Sequence, residues 1–132
     1  MKAIINFQVI EDFRSYSFGG PFTPFIQENF CDFSFYDLDQ FSDQELFEYG
    51  RTMIDAADRV LLIIGGSENI RPDKLYLLQN LIMAGRDKCF VLSTIHNEEV
   101  DEYFRGLGEQ YCTRKEEEQQ KQFIIAALSD QR

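Results

Sequence analysis

The side chains that could bind a ligand or take part in chemistry lie in four polar stretches, each of which follows an apolar run. These stretches are 8–21, 37–39, 65–69 and 93–97. They supply eight candidate ligand-binding residues, which are hydrogen-bonding side chains and two glycines: Gln8, Asp37, Asp39, Gly65, Gly66, Ser67, Ser93 and His96. Glycine lets a ligand or another backbone approach closely, so the glycine pair is the most suggestive feature. The alternative is that both glycines only let the chain turn sharply after a strand.

No catalytic constellation accompanies these residues in the sequence. His96 is the only histidine, and a lone loop histidine is more often an exposed side chain than a proton shuttle. Ser93 does not lie in a Gly-x-Ser-x-Gly sequence, so we do not expect a hydrolase nucleophile there. The phosphate-binding patterns Gly-x-x-x-x-Gly-Lys-Ser/Thr and Gly-x-Gly-x-x-Gly do not occur either. We therefore assign neither a catalytic residue nor a cofactor.

Cysteine and carboxylate spacing predicts no metal site. An odd number of cysteines without a Cys-x-x-Cys pair is typical of reduced, buried thiols rather than of disulfides or zinc ligands: Cys31, Cys89 and Cys112. Cys112 precedes a predicted helix, a position that can lower the pKa of a thiol, but we favour a buried, inert thiol there. Four carboxylates could gather around Mg²⁺, but their spacing fits no metal motif, and we interpret them as solvated loop charges: Glu11, Asp12, Asp37 and Asp39.

Length, composition and charge limit the classes of function. The chain has 132 residues, of which 44% are hydrophobic and 27% charged, as expected of a single globular domain over 1–132. The net charge of -10 opposes binding to nucleic-acid polymers and to anionic membranes, and it leaves basic protein partners possible. The apolar runs are too short for a membrane span, and the first residues turn polar too soon for a signal peptide. Together with the reduced cysteines, this pattern predicts a cytoplasmic chain.

Five segments have the pattern of strands, and they must position the candidate residues: 3–9, 32–36, 60–64, 88–93 and 109–112. Helical patterns follow each strand, and two of them begin with the signature of a capping box, at Ser42–Glu45 and Thr113–Glu116. Strands that alternate with helices predict a parallel sheet with right-handed crossovers. We therefore expect a three-layer α/β/α sandwich around a five-stranded parallel sheet, in the flavodoxin-like order 2-1-3-4-5.

The position of the candidate residues follows from this arrangement. Val60–Ile64 is a run of five aliphatic residues, which is typical of a central strand covered on both faces, and it leads into Gly65 and Gly66. In sheets of this order, ligands bind beyond the carboxyl ends of the strands, near the switch between the first and third strands. The four polar stretches are expected to meet at that edge.

Two segments resemble the nucleoside deoxyribosyltransferase-like and TIR-like group of proteins. In 53–64 an Ala-Asp pair leads from a helix into an aliphatic strand, and 81–92 is similar to the next helix-to-strand passage of that group. The resemblance implies a flavodoxin-like fold and an enzyme or sensor that binds a nucleotide or nucleoside. The group uses a glutamate on the helix after the third strand, whereas 73–80 contains none. The departure implies that glycosidic-bond chemistry is lost or carried elsewhere in this chain.

Two functional hypotheses follow. In the first, the chain is a non-catalytic interaction or regulatory module, because the aromatic side chains of 18–41 cannot all point inward, and exposed aromatics are typical of partner surfaces. This predicts a homodimer or a protein partner through five phenylalanines: Phe22, Phe25, Phe30, Phe33 and Phe35. The alternative is that they cover one face of the sheet. In the second hypothesis, a nucleotide or nucleoside lies between the first loop and 65–67, and Asp37 or Asp39 holds a ribose hydroxyl.

Overall fold

Five strands alternate with five helices along the chain in a computed structural model that describes residues 1–12 and 20–129. The strands are β1 (Lys2–Val9), β2 (Phe33–Asp39), β3 (Arg59–Gly66), β4 (Cys89–Ser93) and β5 (Tyr111–Thr113). The helices are α1 (Thr23–Asn29), α2 (Gln44–Ala56), α3 (Pro72–Met83), α4 (Glu98–Phe104) and α5 (Glu117–Leu128). Two short 3-10 segments, Arg86–Lys88 and Arg105–Gln110, lead into β4 and β5.

All neighbouring strands pair in parallel, in the order β2-β1-β3-β4-β5. This confirms the flavodoxin-like sheet. β3 lies between β1 and β4, and its residues 60–65 are buried. The aliphatic run therefore occupies an interior strand, because only a strand covered on both faces can bury consecutive large apolar side chains.

Successive residues of each strand contribute to two separate cores, one on either face of the sheet. Ile5 and Leu62 point to the face that carries α2, α3 and α4, where they pack with side chains such as Phe47 and Leu78. Ile4 and Leu61 point to the face that carries α1 and α5, where Ile26 and Ile124 cover them. The chain thus forms the three layers expected from the sequence. We call the two sides the α2/α3/α4 face and the α1/α5 face.

Tertiary pairing changes the bounds of β2. The sequence predicts a strand over 32–36, but β2 continues to Asp39. The register pairs Asn6 with Asp37 and Gln8 with Asp39, so the strand follows β1 to its end. Aspartate has a low intrinsic preference for strands, and hydrogen bonding to a central neighbour overrides it here.

Both predicted capping boxes are wrong in position. The cap of α2 is Asp43, whose side chain accepts a hydrogen bond from the backbone N–H of Leu46, whereas Ser42 Oγ accepts one from Asp39 N. The capping box of α5 is formed by Glu116 and Gln119, because β5 extends through Thr113 and delays the start of the helix. In both cases the predicted cap residue belongs to the preceding turn or strand.

Within residues 1–12 and 20–129, every helix is either too short or too polar to cross a bilayer.

Candidate functional site

The register of the parallel strands brings several polar residues to one place at the carboxyl end of the sheet. Gln8 of β1 lies opposite Asp39 of β2 and opposite Gly65 of β3. Asn6, two residues earlier in β1, lies opposite Asp37. Residues paired across parallel strands point to the same face, so these five residues share the α1/α5 face. The structure therefore brings together four of the eight predicted residues, Gln8, Asp37, Asp39 and Gly65.

Asn6 is the buried centre of this group. It is 2% exposed, and its Nδ2 donates a long hydrogen bond of 3.4 Å to Asp37 Oδ1. Its Oδ1 is buried and accepts no hydrogen bond from the described residues. A Cβ built on Gly20 would lie 2.5 Å from this oxygen, so the backbone at Gly20 covers it. A buried carbonyl without a donor lowers stability, and Asn6 therefore marks where a donor group would be most favourable on this face.

Asp37 and Asp39 belong to a strand, so the prediction that they occupy a loop is wrong. Asp37 is half-buried beside Asn6. Asp39 Oδ1 accepts a hydrogen bond of 2.7 Å from the N–H of Phe41, and Asp39 N donates to Ser42 Oγ at 3.0 Å. These bonds close the turn between β2 and α2, so the Asp39 carboxylate acts within its own turn.

Gly65 and Gly66 lie against different neighbours. Gly66 has a φ of +105°, and a Cβ there would lie 2.5 Å from the carbonyl oxygen of Val9. The close neighbour is therefore another strand, since β1 occupies the space that a side chain would need. Gly65 points to the α1/α5 face, where a Cβ would lie 3.2 Å from Thr94 Oγ1. Of the two glycines, Gly65 adjoins the polar group around Asn6.

Ser67 is held by the end of β1. Its N–H donates to the carbonyl of Val9 at 2.8 Å, and its Oγ accepts from the N–H of Asn69 at 3.2 Å. Glu11 Oε1 accepts from Asn69 Nδ2 at 2.9 Å and from Ser67 Oγ at 3.4 Å. The loop after β3 is thus tied to the loop after β1 by an exposed carboxylate.

Ser93 and His96 do not join the group around Asn6. Ser93 is 1% exposed and pairs with Ile64, so it points to the α2/α3/α4 face, where its Oγ donates to the carbonyl of Ile95 at 3.0 Å. His96 is exposed in the loop before α4. The sequence could not distinguish the faces, because the side on which a residue falls depends on the register of its strand.

Gln40 is a second buried polar residue that the sequence pattern did not indicate. It is 4% exposed, its Nε2 donates to the carbonyl of Ile10 at 2.9 Å, and its Oε1 accepts from the N–H of Arg71. Lys74 Nζ donates to the carbonyl of Ser42 at 2.6 Å. These bonds join the ends of β1 and β2 to the start of α3. In the sequence, Asn6 stands out as a polar residue inside an apolar strand, whereas no residue near Gln40 indicates that Gln40 is buried.

A charged cluster lies beside β5, on the opposite side of the sheet from β2. Asp101 accepts hydrogen bonds from Tyr111 Oη at 2.6 Å and from Arg114 Nη2 at 3.0 Å. Burial raises the pKa of Asp101, but the hydrogen bonds from Tyr111 and Arg114 outweigh this effect and leave the pKa below its ordinary value. Burial and the bond to Asp101 raise the pKa of Tyr111. The cluster is internally paired and joins α4 to β5.

The buried thiols are not activated. Burial raises the pKa of Cys89 to about 12, and burial also raises the pKa of Cys112. The expectation of a buried thiol is therefore confirmed for Cys89 and Cys112, and burial outweighs any lowering of the Cys112 pKa by the helix that follows. Cys31 is exposed, so the expectation of a buried thiol is wrong there. Among the described residues, no three metal-ligating side chains come together, and Glu11, Asp12, Asp37 and Asp39 belong to no such group.

The outer edge of β2, the side that faces away from β1, forms a second candidate site. No strand of the described residues pairs with it. Between this edge and α2 lies an open groove of ≈ 420 Å³, whose walls include Tyr36, Tyr49 and Met53. Tyr36 Oη donates to the carbonyl of Leu46 at 2.7 Å, and the rings of Tyr36 and Tyr49 meet edge to face with centroids 5.3 Å apart. Tyr49 is 58% exposed.

The five phenylalanines of the predicted partner surface have unequal exposure. Phe22 is 5% exposed and belongs to the core of the α1/α5 face. The other four are partly buried against that core: Phe25, Phe30, Phe33 and Phe35. Phe33 and Phe35 follow one another along β2, with ring centroids 5.1 Å apart. Aromatic rings therefore border the outer edge of β2 on both faces of the sheet.

Comparison with known proteins adds no relative, because no family model, no curated sequence and no solved structure matches the chain. The function of the chain is therefore inferred from the two candidate sites, the group around Asn6 and the outer edge of β2. The group around Asn6 combines a buried amide oxygen, which Gly20 covers, with the carboxylates of Asp37 and Asp39. The outer edge of β2 can pair with an extended segment of another chain.

Proposed function

We propose that the chain is a non-catalytic interaction module that binds an extended segment of another protein along the outer edge of β2. The single observation that carries this proposal is the form of that edge. β2 is seven residues long, pairs with β1 on one side, and is bordered by Phe33 and Phe35 on one face and by Tyr36 and Tyr49 on the other. An added strand gains main-chain hydrogen bonds from such an edge, and the aromatic rings on both faces can contact its alternating side chains.

The chemistry of the described residues supports a module without a catalytic step. Ser93 Oγ is engaged with a backbone carbonyl, the pKa of the Cys89 thiol is raised to about 12, and Asp39 stabilises its own turn. An activated nucleophile needs an adjacent base or a lowered pKa. A cytoplasmic location belongs to this proposal, because Cys89 and Cys112 are buried, unpaired thiols of the kind that persist in a reducing compartment.

A neutral strand-forming peptide tests the proposal. The probe is an acetylated and amidated heptapeptide with the sequence Gln-Val-Thr-Val-Thr-Val-Gln, which matches the length of β2. We expect it to shift the backbone amide signals of Phe33–Asp39 in nuclear magnetic resonance spectra of the full chain. Tyr49→Ser should weaken binding by roughly threefold to tenfold, because an aromatic anchor at such a surface contributes about 1 kcal/mol.

The matched control is Tyr76→Ser. Tyr76 is 55% exposed on α3, nearly the same as the 58% of Tyr49, and it is absent from the groove beside β2. Its substitution should leave the affinity unchanged. If the peptide leaves the β2 signals where they are, or if both tyrosine variants weaken binding equally, the outer edge of β2 is not the binding site.

A second candidate function, the binding of a nucleoside or nucleotide at the carboxyl end of the sheet, is favoured by the buried Asn6 Oδ1. A base amine or a ribose hydroxyl that displaces the backbone at Gly20 from this oxygen would supply the donor that it lacks among the described residues, beside the carboxylate of Asp37. A thermal-shift screen with nucleosides, nucleotides and flavins tests this candidate, because a ligand bound only by the folded state raises the melting temperature. A shift that Asn6→Ala removes would support it, and the lack of any shift would exclude it.

A further inference from the structure

An open groove lies at the amino end of the sheet, the end opposite to the group around Asn6. Its volume is ≈ 590 Å³, and its walls come from the starts of β3 and β4, the two 3-10 segments and α5. Pockets that bind small molecules have volumes of about 300 to 1,000 Å³. The residues that line it differ from all those that line the groove beside β2. We call it the amino-end groove, and it is separate from both candidate sites.

Hydrogen bonds from side chains to distant backbone groups hold the walls of the amino-end groove together. Gln110 Nε2 donates to the carbonyls of Arg86 and Cys89, each at 2.7 Å. Arg86 Nη2 donates to the carbonyl of Gly106 at 3.1 Å. These bonds join the two 3-10 segments to each other, so the groove has its shape before a ligand binds. A preformed site loses less conformational entropy on binding than one that must first become ordered.

Arg59 places a guanidinium group in this groove. Its Cζ lies 5.3 Å from the centre of the Phe90 ring, and that ring meets the ring of Phe123 on α5 edge to face, with centroids 6.1 Å apart. Arg59 is half-buried, and among the described residues no hydrogen bond or ion pair involves its guanidinium. The contact with the ring holds the group in place without using its N–H donors, which therefore remain available for a carboxylate.

Two exposed carboxylates, Asp87 and Glu109, line the same groove. Neither forms a hydrogen bond or an ion pair with another described residue. Arg59 and these carboxylates are thus too far apart to pair directly, although they share one cavity. Opposite charges that do not pair with each other are complementary to a ligand that carries both signs of charge.

The other two charged side chains of the groove, Asp58 and Lys88, are already engaged. Asp58 Oδ2 accepts a hydrogen bond of 2.7 Å from the amino group of Met1, and Lys88 Nζ donates to the carbonyl of Ala57 at 2.7 Å. The positive charges of Lys88 and Lys2 also act on the Asp58 carboxylate. This carboxylate is therefore compensated within the chain, and the charges left for a ligand are the guanidinium and the two exposed carboxylates.

We propose that the amino-end groove binds a small zwitterion with an apolar body, the chemistry of a short peptide with free termini. The carboxylate of the peptide accepts hydrogen bonds from the Arg59 guanidinium, and its ammonium lies near Asp87 and Glu109. Its side chains contact the apolar residues that line the groove: Phe90, Leu107 and Ala126. This site goes beyond the proposed function, because it uses other residues and takes another ligand.

Three tripeptides that differ only at their ends test the proposal. They are Ala-Leu-Ala with both termini free, the same peptide with an amidated carboxyl terminus, and the same peptide with an acetylated amino terminus. Backbone amide signals of 58–60, 87–90 and 107–110 in nuclear magnetic resonance spectra of the full chain report binding. We expect the zwitterion to bind about threefold to fivefold more tightly than either blocked peptide at pH 7 and low salt, because each block removes one exposed ion pair.

Variants of the groove assign each charge to one end of the peptide. Arg59→Gln should remove the preference for the zwitterion over the amidated peptide and keep the preference over the acetylated one. Asp87→Asn combined with Glu109→Gln should have the opposite effect. The split between the two blocked peptides distinguishes a contact with the ligand from a general loss of structure, which would weaken the binding of all three peptides alike.

The controls remove the same charges from exposed positions outside the groove. They are Arg105→Gln for the guanidinium, and Glu99→Gln combined with Glu102→Gln for the two carboxylates. Both should keep the full preference for the zwitterion. A preference that survives Arg59→Gln, or that the control variants also remove, would contradict the assigned contacts.

The unsubstituted chain gives the decisive comparison. Equal binding of the three peptides, or tighter binding of the amidated, cationic peptide, would overturn the zwitterion site, as would the lack of any shift in the amino-end signals. The proposed function depends instead on the signals of Phe33–Asp39, which these tripeptides should not move if they bind only in the amino-end groove. The two proposals can therefore fail independently.

Discussion

At the scale of single residues, the exits of β1 and β3 depend on a backbone position that only glycine fills. Gly66 has a φ of +105°, and the carbonyl oxygen of Val9 occupies the place of its missing Cβ, at 2.5 Å. The backbone N–H of Ser67 also donates a hydrogen bond to this carbonyl, at 2.8 Å. The glycine therefore sets the distance between two strands at the switch point of the sheet.

The first prediction concerns Gly66→Ala. The substitution should lower the free energy of unfolding by about 3 kcal/mol, because it combines an unfavourable φ with a collision against backbone. Urea denaturation of the two proteins measures the difference. Gly106→Ala is the control, because a Cβ at Gly106 meets nothing within 4 Å, and it should change the stability by less than about 1 kcal/mol. Equal effects of the two substitutions would contradict the contact with Val9.

The second prediction is a pH dependence centred on Asp101. Its folded pKa is lowered, so its contribution to stability is complete above the ordinary carboxyl pKa of about 4 and is lost as the pH falls through the lower folded value. Asp101→Asn should therefore reduce the stability at neutral pH and flatten its decline as the pH falls below about 4. Denaturant midpoints across this range measure both effects.

Tyr111 supplies the complementary alkaline test. Its folded pKa is raised, so its contribution is complete below the ordinary phenol pKa of about 10 and is lost as the pH rises further. Tyr111→Phe should flatten the alkaline decline in stability, whereas Tyr76→Phe, at an exposed position of α3, should not. A decline of unchanged steepness in Tyr111→Phe would mean that burial and the bond to Asp101 do not raise the pKa of Tyr111.

At the scale of elements, the residue at which a helix begins depends on the residues before it. A residue whose side chain already bonds within the preceding strand or turn does not cap the helix. Ser42 matches a capping residue in the sequence, but its hydroxyl accepts from Asp39 N in the turn that leaves β2. The helix then begins one residue later, with Asp43 Oδ1 accepting from Leu46 N at 3.1 Å. β2 itself follows β1 to Asp39, which places the turn before the helix.

The third prediction separates the two possible caps of α2. Asp43→Ala should lower the free energy of unfolding by about 1 kcal/mol, because it removes the acceptor for a terminal N–H. Glu45→Gln should be nearly neutral, although Glu45 would be the reciprocal partner in the capping box predicted from Ser42. Thermal unfolding of both variants gives the comparison. A larger loss in Glu45→Gln than in Asp43→Ala would restore the predicted capping box.

At the scale of the whole molecule, two cores lie on opposite faces of one parallel sheet, and the sheet ends at two dissimilar edges. β5 is three residues long, whereas β2 is seven residues long and bordered by aromatic rings. A long, apolar edge strand favours pairing with other chains unless charge opposes it. The net charge of -10 supplies that opposition, and it is screened by salt.

The fourth prediction is that self-association rises with ionic strength. Sedimentation velocity should give a monomer at low salt and an increasing dimer fraction at about 1 M sodium chloride, where the Debye length is about 3 Å. Tyr49→Ser should reduce the dimer fraction, and Tyr76→Ser should leave it unchanged, because only Tyr49 borders the β2 groove. A dimer that is stable at low salt and dissociates at high salt would contradict the role assigned to the net charge.

The sequence by itself determined the layered architecture. Alternation of strand and helix patterns requires parallel strands with crossovers, and the aliphatic run 60–64 can be buried only in an interior strand, so element order and strand order followed from local patterns. The two glycines that end β3 were also identifiable, and Gly66 has a positive φ that few residues other than glycine tolerate. Each of these features depends on residues that are close to one another in the sequence.

Only the tertiary structure decided which polar side chains meet. Ser93 and Gln8 both lie near the ends of strands, yet the register places them on opposite faces of the sheet. Asn6 becomes a buried acceptor because Gly20 covers it, and Gln40 joins Ile10 to Arg71 across 30 or more residues of sequence. Such contacts depend on non-local pairing, and a shift of one residue in register would send every side chain of a strand to the other face.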